Sequence, residues 1–210
     1  MSGRGPRWIQ KISRGTPLGD IEVGTLVKLN ENGSPVEFYV AKHDYEAGLN
    51  GSGRTLLVRK ECADNVAFGT NNAYAGETLD VFLNETFFQR LDADVRSKIA
   101  LTKFYYTPGA GNTTMTTLER KVFQLSTTEL GLSLSYVNAE GTALAIASTL
   151  RVPNHAQWTR TPYNYNSTYA ISLTYSGSTK YNSSVSSYYG SRPVLTLPAT
   201  TKISDDMLIA

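Results

Sequence analysis

Residues 25–42 alternate apolar and polar side chains on both sides of an Asn32-Gly33 pair, a pattern that commits the chain to an antiparallel strand pair. Thr25, Val27 and Leu29 alternate with Leu26 and Lys28, and Val36, Phe38 and Val40 resume the period after the pair. Successive strand side chains point to opposite faces, so this spacing buries one face. Asn-Gly favours the positive φ angles of a two-residue turn, and residues 25–42 are predicted to form a β-hairpin. A glycine-rich loop from Gly48 to Gly53 leads to a third strand around Thr55–Lys60.

The period then changes. Leu79, Phe82, Leu83 and Phe87 share one face of a helix, and Asp92 is placed to N-cap a second helix with Val95 and Ile99 inward. Lys103–Tyr106 reads as extended and Pro108–Asn112 as a loop. Lys121, Phe123 and Leu125 give a further strand, and Ser126-Thr127-Thr128-Glu129 has the form of a capping box opening a short helix near Thr127–Gly131. From Gln157 onward nearly all signals are strand and turn, with Ile171, Leu173 and Tyr175 on one strand face and Leu195 and Leu197 on another. The expected fold is therefore α+β and β-rich, with two or three short helices. It forms a single domain over residues 16–210, since no linker or repeat divides the chain.

Composition narrows function by exclusion. The formal charge of +2 divides into a basic arm, residues 1–15, with Arg4, Arg7, Lys11 and Arg14, and a body near −2. Without a basic excess the body is not expected to bind nucleic acid. No apolar run is long enough for a signal peptide or a membrane span, so synthesis in a cytoplasm and no membrane partner are expected. The sequons at Asn84, Asn112, Asn166 and Asn182 are read as chance in an Asn/Ser/Thr-rich sequence.

Catalytic and cofactor chemistry lacks its usual residues. Cys62 is the sole cysteine and His43 and His155 are the sole histidines, so neither a disulfide nor a metal site is expected. There is no G-x-S-x-G elbow, and His43-Asp44 are strand neighbours pointing to opposite faces. The Gly-x-Gly steps at Gly51–Gly53 and Gly109–Gly111 read as turns, Asp92/Asp94 as helix capping and Asp205/Asp206 as an exposed tail. No cofactor is implied, and the chain is read as not an enzyme.

One segment stands out. Tyr163–Tyr189 holds 7 of the 13 tyrosines, with Ser and Asn at most other positions. Tyrosine offers wide amphipathic contact at low rotamer cost, and Ser and Asn supply adaptable hydrogen bonds, an alphabet shared by binding surfaces. The candidate ligand-binding residues are Tyr163, Tyr165, Tyr169, Tyr175, Tyr181, Tyr188 and Tyr189. The alternative is that these residues populate the solvated face of ordinary strands.

Several blocks in one order resemble a domain-of-unknown-function family found in Firmicutes surface proteins and in virion proteins of their phages and prophages. They are Gly19–Leu29, Asn71–Asn84, Phe87–Ile99, Lys121–Leu132, the W-x-R-x-P block Trp158–Pro162 and the G-x-R-P-x-L block Gly190–Leu195. The resemblance implies a C-type-lectin-like domain in which Trp158, Arg160, Pro162, Arg192 and Pro193 are structural, Trp158 as a core plug and each Arg tied to carbonyls or a carboxylate. It also makes Tyr163–Tyr189 the ligand-facing region. The implied function is a virion structural protein of tail, fibre, baseplate or capsid-decoration type, located in the virion. Its expected partners are other virion proteins, copies of itself in a homo-oligomer, and a host-surface glycan or receptor. A host-receptor or carbohydrate-binding module and a cell-wall-degrading enzyme are the alternatives.

Overall fold

The computed structural model describes residues 15–209, so the expected basic arm lies outside the described residues apart from Gly15. β1 (Thr16–Pro17) and a 3-10 turn (Leu18–Asp20) lead into β2 (Leu26–Glu31) and β3 (Ser34–Lys42). A one-turn helix, α1 (Ala47–Asn50), precedes β4 (Arg54–Arg59) and β5 (Asn65–Ala67). Helix α2 (Thr78–Val81) runs through a π-helical turn (Phe82–Phe87) into α3 (Phe88–Arg90), and α4 (Ala93–Lys98) follows. Next come β6 (Thr102–Tyr106), β7 (Thr116–Arg120), β8 (Val122–Phe123) and α5 (Ala147–Leu150). The last third holds β9 (Gln157–Pro162), β10 (Tyr169–Leu173), β11 (Thr179–Ser184), β12 (Tyr188–Gly190), β13 (Val194–Pro198) and β14 (Lys202–Ile203).

Two five-stranded sheets dominate this mixed, sheet-rich α+β arrangement, in the orders β2-β3-β4-β13-β8 and β11-β10-β9-β12-β5. Two-stranded pairs β1-β14 and β6-β7 complete it. β9 and β12 pair parallel, and the other named pairs are antiparallel. The hairpin forms as its pattern requires: Asn32 and Gly33 take φ of 50° and 75°, and Val27, Leu29 and Phe38 are fully buried. β4 and β13 lie inside their sheet with both faces covered, which is why they read as apolar runs instead of alternating. One hydrophobic cluster extends from Leu18 to Ile209.

The free edge of β2 is closed by other parts of the chain. The Lys28 N–H donates to Met207 O and the Ile209 N–H to Lys28 O, while the Asn32 N–H donates to Arg90 O and the Asp92 N–H to Asn30 O. Covering an edge in this way removes a template for unwanted strand pairing. Asp92 does occupy the N-cap position of α4, but its side chain makes no cap hydrogen bond and accepts from the Gly33 N–H across the hairpin turn at 3.0 Å.

Other local expectations are corrected by tertiary context. The helical segments outnumber the two or three expected, because α1 and α5 are single turns too short to show a period. The strand expected at Lys121–Leu125 is reduced to the two residues of β8, Val122 and Phe123, and both are buried where alternation was expected. Thr127–Gly131 forms turns and no helix. Tyr175 does not share a buried face with Ile171 and Leu173: β10 ends at Leu173, its register shifts between Ala170 and Ser172, and Tyr175 is 73% exposed.

Within the π turn, Asn84 behaves as a strand neighbour to β8. Its Nδ2 donates to Val122 O at 2.9 Å and to Asp80, and its Oδ1 accepts the Val122 N–H at 3.2 Å. Asp80 in turn holds Arg120 through both carboxylate oxygens. Asn84→Ala strands both Val122 backbone groups and is expected to cost about 1–3 kcal/mol. Urea denaturation curves measure this, and an unchanged midpoint would contradict the role.

Candidate functional site

The tyrosines of the 163–189 segment divide into three groups in space. Tyr163 is the hub of the first, with its ring centroid 5.6 Å from Tyr165, 5.9 Å from Tyr181 and 5.7 Å from Tyr136. Tyr136 and Tyr181 close the group at 5.4 Å. Tyr136 lies outside the segment, and nothing in its local sequence marked it. The rings are tilted or edge-to-face, arrangements favoured by the aromatic quadrupole. Tyr165 and Tyr181 are 75% and 49% exposed, whereas Tyr163 and Tyr136 are half-buried beneath them.

The other candidates do not join this cluster. Tyr189 packs edge-on to Trp158 at 4.8 Å and receives a hydrogen bond from Lys180 at 3.2 Å, and Tyr169 is half-buried at the start of β10. Tyr175 and Tyr188 are exposed, and neither is among the ring contacts found in the described residues.

Asn72 fixes the loop that carries Tyr163 and Tyr165. Its Nδ2 donates toward the carbonyls of Tyr163, Asn166 and Tyr169, its backbone N–H donates to Ser167 O, and its Oδ1 accepts the Ala110 N–H. Gly109 sits against the other side, with φ +75° and so little room that a Cβ would lie 2.3 Å from Asn72 O. The loop is thus held by backbone contacts that leave its tyrosine rings free to face outward.

Beneath the face, β9 supplies the polar core. Arg160 is fully buried; its Nη1 donates to Glu129 Oε2 at 2.6 Å and to Gln124 O, and its Nε and Nη2 donate to Tyr105 O. The guanidinium lies over the Phe104 ring at 4.7 Å, which stacks on Phe123 and through it on Tyr45. Burial pulls the Arg160 pKa down, but Glu129 above all raises it, and the net shift is upward, so the cation is secure. Tyr45 Oη donates to Glu129 Oε1 at 2.5 Å, and burial together with that carboxylate pushes its pKa well up, keeping it a donor.

The capping box forms here without a helix: the Ser126 N–H donates to Glu129 Oε2 and the Glu129 N–H to Ser126 Oγ. Glu140, also fully buried, accepts from the Thr107 N–H and Thr161 Oγ1, and burial raises its pKa.

The second closing block is tied differently. Arg192 donates to the carbonyls of Arg59, Lys60 and Leu150, and its N–H donates to Gln124 Oε1. Pro193 leaves its carbonyl to the Arg59 N–H, and Pro162 is buried at the end of β9. Trp158 is fully buried and its indole N–H donates to Val66 O at 2.7 Å. Gly190 is required by contact, since a Cβ there would meet Cys62 Sγ at 2.5 Å. Burial raises that thiol to about 11, which leaves it protonated at neutral pH.

Groups that might do chemistry are engaged elsewhere. The ring nitrogens of His43 contact Thr55 Oγ1 and Ile21 O, and Asp44 accepts from the Gly53 N–H. Among the described residues no cluster of His, Cys, Asp and Glu could hold a metal ion, and no helix is long and apolar enough to cross a membrane.

The geometry defines a sheet-rich α+β domain with a buried arginine–carboxylate core under a surface tyrosine cluster. The chain belongs to the family described as Domain of unknown function (DUF6273), whose model matches residues 52–199. The match includes both closing blocks and the tyrosine segment, and it begins after the β2–β3 hairpin. No curated protein and no solved structure matches the chain.

Two outcomes test the core. Arg160→Met leaves Glu129 buried without its cation and is expected to cost about 3–5 kcal/mol in denaturation experiments, with Arg160→Lys failing to restore the lost carbonyl contacts. The raised Glu140 pKa means the folded state holds that proton more tightly than the unfolded chain. Its contribution is therefore complete below the ordinary carboxyl range and is lost as pH rises to the raised value. Glu140→Gln keeps an acceptor for Thr107 and is expected to gain stability relative to the parent as pH rises through that window. A pH series of thermal melts with parallel curves would contradict it.

Proposed function

We propose that this protein is a non-enzymatic binding domain of C-type-lectin-like build, carried on a phage particle as a tail, fibre, baseplate or capsid-decoration component. The tyrosine face is its ligand-facing surface. The observation that carries the binding reading is the four-ring cluster, in which two exposed rings rest on two half-buried ones above a loop pinned by Asn72. Solvated strand faces do not need a scaffold of this kind. The lectin-like reading is supported by the closing blocks, whose Trp158 and Arg160 lie on the central strand β9 and whose Arg192 leads into β13.

The virion setting is supported by the ordered motifs alone. In it the domain meets other virion proteins and further copies of itself through surfaces away from the rings. The non-enzymatic reading is favoured by the way His43, Asp44, Glu129 and Glu140 are all consumed by structural hydrogen bonds.

Mass spectrometry of particles purified from the encoding strain is expected to find this chain in a fixed ratio to the major capsid protein. Its absence removes the virion setting. Binding of the purified domain to Firmicute cells, lost in a Tyr165→Ala/Tyr181→Ala double variant that melts like the parent, tests the face. Unchanged adsorption removes the binding reading.

A further inference from the structure

We infer that the ligand of the tyrosine face is an uncharged glycan, gripped by the exposed rings of Tyr165 and Tyr181 without a bridging metal ion, while Tyr163 and Tyr136 set the tilt of those rings. This rests on the reading of the face as a binding surface.

The first argument is charge. Between Tyr163 and Tyr189 the only charged residue is Lys180, and the 131–139 stretch that brings in Tyr136 has none. Lys180 is already engaged, with its Nζ 3.2 Å from Tyr189 Oη. A phosphate- or sulfate-bearing polymer needs free cations to replace its counterions, and a cationic ligand needs carboxylates. These two stretches supply no carboxylate and a single cation, Lys180, whose ammonium is held at Tyr189. A calcium bridge to sugar hydroxyls would likewise need acidic oxygen ligands that these two stretches do not contain.

The second argument is the form of the surface. The rings meet at interplanar angles of 35° to 79°, so they make a faceted surface in place of a flat apolar patch. Each facet pairs an apolar ring face with a hydroxyl edge, which suits a ligand whose C–H faces and hydroxyls alternate over the width of one ring.

The third argument weighs against a protein strand as partner. β11, the edge strand beside the cluster, pairs with β10 through an irregular register and carries Lys180, two features that discourage further strand addition. The large exposed aliphatic residues Val81, Leu101, Met115 and Val152 all lie outside the segment in sequence, so the large exposed apolar side chains that it supplies are tyrosines.

The test uses the full chain on an array of neutral, sulfated, phosphorylated and sialylated glycans, and on Firmicute cell walls treated with periodate or protease. Binding to neutral glycans is expected, unchanged by EDTA or by 1 M salt, about tenfold weaker in Tyr165→Ala and in Tyr181→Ala, and unaffected in Tyr175→Ala and Tyr188→Ala. Cell-wall binding is expected to fall after periodate and to survive protease. Binding confined to anionic glycans, or abolished by EDTA, overturns the inference. Cell-wall binding lost to protease but not to periodate also overturns it while leaving a protein-binding face in place. No binding to cell walls in any state overturns the binding reading itself.

Discussion

A guanidinium can sit in a protein interior when every donor finds an acceptor and a carboxylate balances its charge, and Arg160 meets both conditions through groups drawn from across the chain. It gathers Glu129, the Gln124 carbonyl and the Tyr105 carbonyl around β9, and it stacks on Phe104. These partners come from two segments, 104–105 and 124–129, so the pair fixes where the turn at Ser126–Glu129 and the strand β6 lie against the second sheet. Replacing such a pair by apolar residues often costs little, whereas removing one partner costs much. The network therefore specifies an arrangement more than it adds net stability.

The same logic extends outward from β9. Glu140 and Thr161 continue the hydrogen-bonded interior, and Asn72 carries it to the loop from Tyr163 to Tyr169. Arg192 is tied by backbone carbonyls instead, those of residues 59, 60 and 150. Side chains that replace backbone partners recur throughout: Asn84 along β8, Asn72 inside the loop, Asp92 at the hairpin turn. Irregular connections can be buried here because side-chain amides and carboxylates satisfy their backbone groups. Tyr163 and Tyr165 are consequently carried by a loop whose backbone is pinned at Asn72.

The local elements legible in the sequence were those whose signal is local. The hairpin over 25–42 follows from alternation and Asn-Gly, and the inward face of Leu79, Leu83 and Phe87 follows from helical spacing that survives a π turn. The helix expected at Thr127–Gly131 did not form although its capping box did, with Glu129 also bound to Arg160. Asp92 stands at the N-cap of α4 as expected, but its carboxylate accepts from the Gly33 N–H across the hairpin turn. Tyr175 left its predicted face because β10 ends at Leu173 and the chain turns there, the Gly177 N–H donating to Thr174 O.

The sequence by itself determined where strands and turns fall, which residue types could do chemistry, and that tyrosine concentrates near the C-terminal third, since each depends on neighbours a few residues apart. The tertiary structure alone decided which tyrosines cluster. Tyr136 joins Tyr163, Tyr165 and Tyr181 from a separate loop, while Tyr169 and Tyr189 turn into packing and Tyr175 and Tyr188 stand apart. Ring contacts depend on how the loops are brought together over β9, and it is the long-range hydrogen bonds of Asn72 and Arg160, invisible to any local pattern, that bring them there.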